Sequence, residues 1–160
     1  MAKQELFRPS LMAFVVRAYG AFPIRRDKLD REAMRHAFEV LNKGEVLGMF
    51  PEGKRSFPYQ LQEMQPGTAF IAARSGVSII PVGISGSEQV RGIRFIVRRP
   101  RITVRIGRPF ILPSSENNKS NRSRLTQHSD LIMERIAELL PHSYRGNYNS
   151  QNNPRSSNEN

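Results

Sequence analysis

The chain has 160 residues and a mass of 18.3 kDa, with 25 Lys plus Arg against 14 Asp plus Glu, a net charge of +11; this is room for one domain, of a kind that prefers anionic partners. With no cysteine it holds no disulfide scaffold, no cysteine-ligated zinc and no cysteine nucleophile, and three scattered histidines, His36, His128 and His142, argue against a metal centre. No apolar run approaches the roughly 18 residues that cross a bilayer, and Glu5 stands where a secretory leader needs basic residues, so an intracellular protein is expected. In chain order, Leu6, Leu11, Phe14, Val15 and Ala18 recur at helical spacing before Gly20, and Pro9 marks the start of that helix. A short apolar stretch at 21–24 breaks at Arg25 and Arg26. Residues 29–43 form an amphipathic helix, with Ala33, Ala37, Val40 and Leu41 on one face, Asp27 or Asp30 as the cap and Gly44 as the stop. Residues 46–50 read as a buried strand stopped by Pro51, 51–66 as loop, 67–74 as a short helix and 77–84 as a strand. Two strands of a hairpin or edge are expected at 95–97 and 102–106, and a last helix over 122–140.

This order of helices and strands predicts an α/β fold with a mainly parallel sheet flanked by helices. The expected division is a domain over 1–141 and a disordered tail over 142–160, rich in Asn, Ser and Gln. Ligand sites in such folds lie in the loops after the strands, which singles out residues 51–56 and 85–87.

The positive charge is uneven: net +4 over residues 1–60, +6 over 61–113 and +1 over 114–160. Arg91, Arg94, Arg98, Arg99, Arg101, Arg105 and Arg108 follow one another with no acid between them. Arginine forks onto phosphate oxygens. The stretch is either a solvated strand face or a contact for phospholipid headgroups or another polyanion. Nucleic acid is disfavoured, because only Phe95 and Phe110 lie nearby and no stacking pattern or binding signature accompanies them.

Phe50-Pro51-Glu52-Gly53-Lys54-Arg55-Ser56 carries the most chemistry. Gly53 lets backbone amides approach an anion, Lys54 and Arg55 add positive charge, Ser56 adds a hydroxyl, and Glu52 is suited to orient Arg55 or to bond a ligand hydroxyl. A charged surface turn has the same composition.

This block resembles the Phe-Pro-Glu-Gly-Thr-Arg-Ser block of the glycerophospholipid acyltransferases, nearest to the bacterial and plastid 1-acyl-glycerol-3-phosphate acyltransferases. Further stretches agree in order and spacing: Gly20-Ala21-Phe22-Pro23-Ile24-Arg25-Arg26, Ile80-Pro81-Val82-Gly83-Ile84, the opening Ala2-Lys3-Gln4-Glu5-Leu6-Phe7, and the strand and turn at 102–113. The resemblance covers roughly residues 2–113. It implies a glycerol-3-phosphate acyltransferase-like α/β domain and transfer of an acyl group from acyl-CoA or acyl carrier protein to lysophosphatidate, forming phosphatidate. It implies no cofactor, the acyl-CoA or acyl carrier protein being a co-substrate. The acceptor phosphate falls to Arg25, Arg26, Glu52, Gly53, Lys54 and Arg55, and Ser56, Pro81, Val82 and Gly83 are expected to line the cleft. Lys54 departs from the family's threonine but adds charge of the right sign. The expected setting is peripheral, on the anionic cytoplasmic face of a membrane, with the first helix or the arginine stretch in contact.

The family's proton transfer rests on a His-x4-Asp pair. Five residues after His36 stands Leu41, after His128 Met133, and after His142 Asn147. No catalytic residue is therefore assigned. The family places that pair upstream of the segment matching 2–7, so the expectation is a domain truncated on its N-terminal side, lacking its first strand and left with an open edge or an exposed apolar face. The alternative is a non-catalytic remnant that binds glycerophosphate or anionic membrane.

Overall fold

The computed structural model describes residues 30–54, 59–90, 99–113 and 122–149, together with the backbone of two short strands, β1 (Ala2–Lys3) and β2 (Pro23–Ile24). These two strands pair in parallel, Ala2 opposite Pro23 and Lys3 opposite Ile24. The expected helix before Gly20, the strand at 95–97 and the arginines from Arg91 to Arg98 lie outside the described residues.

Helix α1 (Arg31–Asn42) starts where its cap dictates: the Asp30 carboxylate accepts from the Ala33 amide at 3.1 Å, satisfying a donor that has no partner within the helix. Lys43 closes it by donating to the Glu39 and Val40 carbonyls, and Gly44 follows at φ +75. Ala33 and Ala37 are buried, and Phe38 meets Phe70 edge-on, with ring centroids 6.4 Å apart. Helix α2 (Pro66–Ser75) has proline at its first turn, where the missing amide hydrogen costs nothing, and ends at Gly76 in the left-handed region. Helix α3 (Arg122–Ala137) supplies the centre of the core. Met133 is fully buried and clusters with Ile132, Ala69 from α2, Met64 and Leu112. Beyond Ala137 the chain tightens, Leu139 and Leu140 donating to the Ile136 and Ala137 carbonyls.

Strands β3 (Val82–Ser85) and β4 (Thr103–Ile106) pair antiparallel, with Val82 opposite Ile106 and Ile84 opposite Val104. An isolated bridge between Ile79 and Phe110 extends the pairing past Pro81. Proline has no amide to donate, which is why the strand expected over 77–84 is broken there. The Pro81 carbonyl still accepts from Gly107 at 2.9 Å. One face of the pair packs on the end of α3: a Cβ at Gly83 would stand 2.9 Å from Leu139 Cβ. The opposite face carries Val82, Ile84, Val104 and Ile106, flanked in sequence by Ile80 and Ile102, and all six are exposed.

The class is α/β, as expected. The described strands are one two-residue parallel pair, β1 with β2, and one antiparallel pair of four-residue strands, β3 with β4. Two readings need correction. Residues 46–50 pair with no described strand, and Val46 is 94% and Phe50 77% exposed. Apolar composition marked them, but a strand exists only through its neighbours. Residues 142–149, expected in the disordered tail, form two 3-10 turns, His142–Tyr144 and Gly146–Tyr148, packed on the body. Tyr144 and Tyr148 give this polar stretch something to bury; 150–160 lie outside the described residues. Among the described residues no helix is long and apolar enough to cross a membrane.

Candidate functional site

The Phe50–Gly53 turn is built from its own sequence. Pro51 presets the second position, and the Gly53 amide returns to the Phe50 carbonyl at 3.0 Å. Gly53 sits at φ +64, and a Cβ there would lie 2.8 Å from Gln65 Cγ, so the position needs glycine both for its backbone and for its space. The turn is then fixed to residues 61–65. The Gln65 amide donates to the Pro51 carbonyl at 2.9 Å, and the Gln62 amide to Glu52 Oε2 at 2.9 Å. Glu52 therefore braces the loop with one carboxylate oxygen, a role the sequence did not suggest.

Lys54 is exposed and opens onto a cleft of about 570 Å³, lined also by residues 60–66, Gly146 and Asn147. The cleft wall is mainly polar, with the amides of Gln60, Gln62, Gln65 and Asn147, one lysine and one carboxylate, Glu63, beside the apolar Leu61, Met64 and Pro66; Lys54 is its one cation, placed to meet an anionic group of a hydroxylated ligand. Pro81, Val82 and Gly83 do not line it: Pro81 and Gly83 are buried against Gly107 and α3, while Val82 is exposed on the sheet face. Arg25, Arg26, Arg55 and Ser56 lie outside the described residues; Arg25 and Arg26 directly follow β2, and Arg55 and Ser56 directly follow Lys54 in the chain.

The two loops are joined by a residue that sequence reading passed over. The Tyr144 carbonyl accepts from the Leu61 amide at 2.8 Å, one residue before the Glu52 brace. Its hydroxyl donates to Glu88 Oε1 at 2.6 Å and accepts from the Gly86 amide at 3.3 Å. That short bond holds the Glu88 carboxyl below its usual range and the Tyr144 phenol above its own. The only sequence signal was an aromatic residue inside a polar stretch.

The histidines are placed as ordinary helix and surface groups. His36 is half-exposed on α1, 3.5 Å from Glu39. His142 Nδ1 pairs with the Asn149 amide nitrogen at 2.8 Å. His128, on α3, has its Nδ1 enclosed with no hydrogen-bond partner. Within the arginine stretch, Arg105 donates to the Leu139 carbonyl at 3.4 Å, near the end of α3, while Arg99, Arg101 and Arg108 are exposed.

The chain is similar to known proteins over most of this region. It is 33% identical over 111 residues to a 1-acyl-sn-glycerol-3-phosphate acyltransferase of Streptococcus pneumoniae, a match covering 69% of the chain and 39% of that relative. A chloroplastic enzyme of the same name from Arabidopsis thaliana is 26% identical over 114 residues, covering 69% of the chain and 32% of the relative. One from Bacillus subtilis is 25% identical over 145 residues, covering 87% and 67%. The match thus spans from about a third to two thirds of the length of these curated relatives. No solved structure matches the chain. The family model described as Acyltransferase matches residues 1–85, which takes in the Phe50–Gly53 turn and Pro81 to Gly83, and the chain belongs to the acyltransferase family.

Proposed function

We propose that this chain binds the phosphate end of 1-acyl-glycerol-3-phosphate at the Phe50–Gly53 turn, as part of an acyltransferase that makes phosphatidate for phospholipid synthesis. The observation that carries this is the braced turn with Lys54 beside an open polar cleft. Arg25 and Arg26, after β2, and Arg55, after Lys54, add charge for the same phosphate, and Ser56 adds a hydroxyl. The names of the relatives support the acceptor. The donor is an acyl-CoA or acyl carrier protein thioester, and the chemistry calls on no cofactor. The acceptor hydroxyl attacks the thioester carbonyl, an ester C–O bond forms, the C–S bond breaks, and the hydroxyl proton passes through a general base to the departing thiolate. Holding the phosphate fixes the hydroxyl for that attack. No histidine among the 160 residues has an aspartate five positions on, so no general base of that kind is assigned within them. We read the fold as the acyltransferase α/β type with a mainly parallel sheet, supported by the parallel β1–β2 pair.

The working position is peripheral, on the anionic cytoplasmic face of a membrane. The six exposed aliphatic residues around β3 and β4, with Arg99, Arg101 and Arg108 nearby in the chain, support an anionic lipid surface as the occupant of that face: aliphatic groups for the acyl region, guanidinium for phosphate.

Offered lysophosphatidate and an acyl thioester, the full chain is expected to bind the acceptor, and to form phosphatidate only when joined to a segment carrying a His-x4-Asp pair. If the completed protein binds acceptor but makes no phosphatidate, the enzymatic reading fails. The second reading, a non-catalytic glycerophosphate or membrane binder, is favoured by the lack of that pair within these residues. Turnover by the completed protein refutes it.

A further inference from the structure

The C-terminal segment 142–149 lies beyond the stretch matched by the family model and beyond the motifs that carry the resemblance. Yet Gly146 and Asn147 line the cleft that Lys54 opens onto. We propose that this segment is a wall of the acceptor cleft and that Tyr144 is a positioning residue, fixing the Phe50–Gly53 loop relative to the turn after β3.

The geometry is a chain of bonds through one side chain. From its carbonyl, Tyr144 holds Leu61, and the next residue, Gln62, holds Glu52. From its hydroxyl, it holds Gly86 and Glu88, one to three residues after β3. Its neighbour Arg145 donates to the Leu140 carbonyl at 3.0 Å, which anchors the segment to the end of α3. Gly146 takes φ +54 directly against Leu61, where a Cβ would stand 2.6 Å from the Leu61 carbonyl oxygen, so the segment approaches the 61–65 strip as closely as backbone allows. Two loops far apart in sequence thereby share one support. Loosening the support frees the Gly146 and Asn147 part of the cleft wall, and a phosphate ligand held in the cleft binds more weakly.

This rests on the reading of the cleft as the acceptor site, and the test separates the two. The probe is sn-glycerol 3-phosphate, titrated into the full chain and into Tyr144→Phe, Glu88→Ala and Glu88→Gln, with amide hydrogen exchange followed at Gly86, Leu61, Gln62 and Gln65. Tyr144→Phe and Glu88→Ala are expected to weaken binding by about five- to tenfold, the fold-change of one lost hydrogen bond. Both should speed exchange at Gly86 and also at Leu61 and Gln62, across the bridge. Glu88→Gln keeps an acceptor oxygen for the phenol and is expected to bind as the unmodified chain does. If Tyr144→Phe speeds exchange at Gly86 alone and binds normally, Tyr144 merely caps one turn and the positioning role is overturned. If the unmodified chain binds no glycerol 3-phosphate, the acceptor reading fails, and the wall role fails with it. In that case coupled exchange across the bridge would show that the tether itself remains.

Discussion

At the scale of single residues, the site depends on positions with little freedom. Gly53 meets two constraints at once, a left-handed backbone and a Cβ-sized space already taken by Gln65. Gly53→Ala is therefore expected to lower stability by about 1–2 kcal/mol from the backbone alone, more if Gln65 does not move, read as a shift of the urea midpoint at unchanged slope. The Tyr144–Glu88 bond makes a pH-dependent prediction. Glu88, lowered from its usual 4.5, contributes stability above that value and loses it as pH falls through the lowered one; Tyr144, raised from 10.0, contributes below that value and loses it as pH rises through the raised one. The melting-temperature difference between the unmodified chain and Tyr144→Phe is thus expected to be largest between these limits and to shrink in acid and in strong base. A difference constant across pH would show that the hydroxyl's partner is not the ionised carboxylate.

At the scale of elements, the helices were legible and the strands only in part, for a physical reason: 102–106 holds β4 and the end of 77–84 begins β3, but 46–50 pairs with no described strand. The three described helices fall within two residues of their expected starts, because their signals are local: Asp30 capping the Ala33 amide, Pro66 in the first turn of α2, and apolar spacing in α3. Asp30→Ala is expected to cost about 1 kcal/mol, measurable by chemical denaturation. Strands are defined by neighbours far along the chain, so the apolar run at 46–50 could not announce that Val46 and Phe50 stand exposed, nor could 102–106 announce β3 as its partner. The site was half legible. The turn at Gly53 and the charge at Lys54 follow from residue type, whereas the brace from Glu52 to Gln62 and the bridge through Tyr144 join residues from 10 to 83 positions apart, the longest being Leu61 to Tyr144.

At the scale of the whole molecule, charge and exposed aliphatic surface point the same way. A net charge of +11 favours anionic surfaces, and the β3–β4 face offers apolar side chains that water does not reward. Anionic vesicles are expected to capture the chain in a salt-dependent manner, and Val104→Asp with Ile106→Asp to weaken that capture about tenfold or more, since two aliphatic contacts are lost and two repulsive charges gained. Both residues are more than half exposed, so the folded chain tolerates the change. Affinity of the full chain for 1-acyl-glycerol-3-phosphate should be compared with that for the same monoacylglycerol lacking the phosphate, for the unmodified chain and for Lys54→Ala. The phosphorylated acceptor is predicted to bind at least tenfold more tightly, with the margin reduced in Lys54→Ala. Equal affinity for the two acceptors, or a margin untouched by the loss of Lys54, would contradict the assignment of the turn as the acceptor-phosphate site.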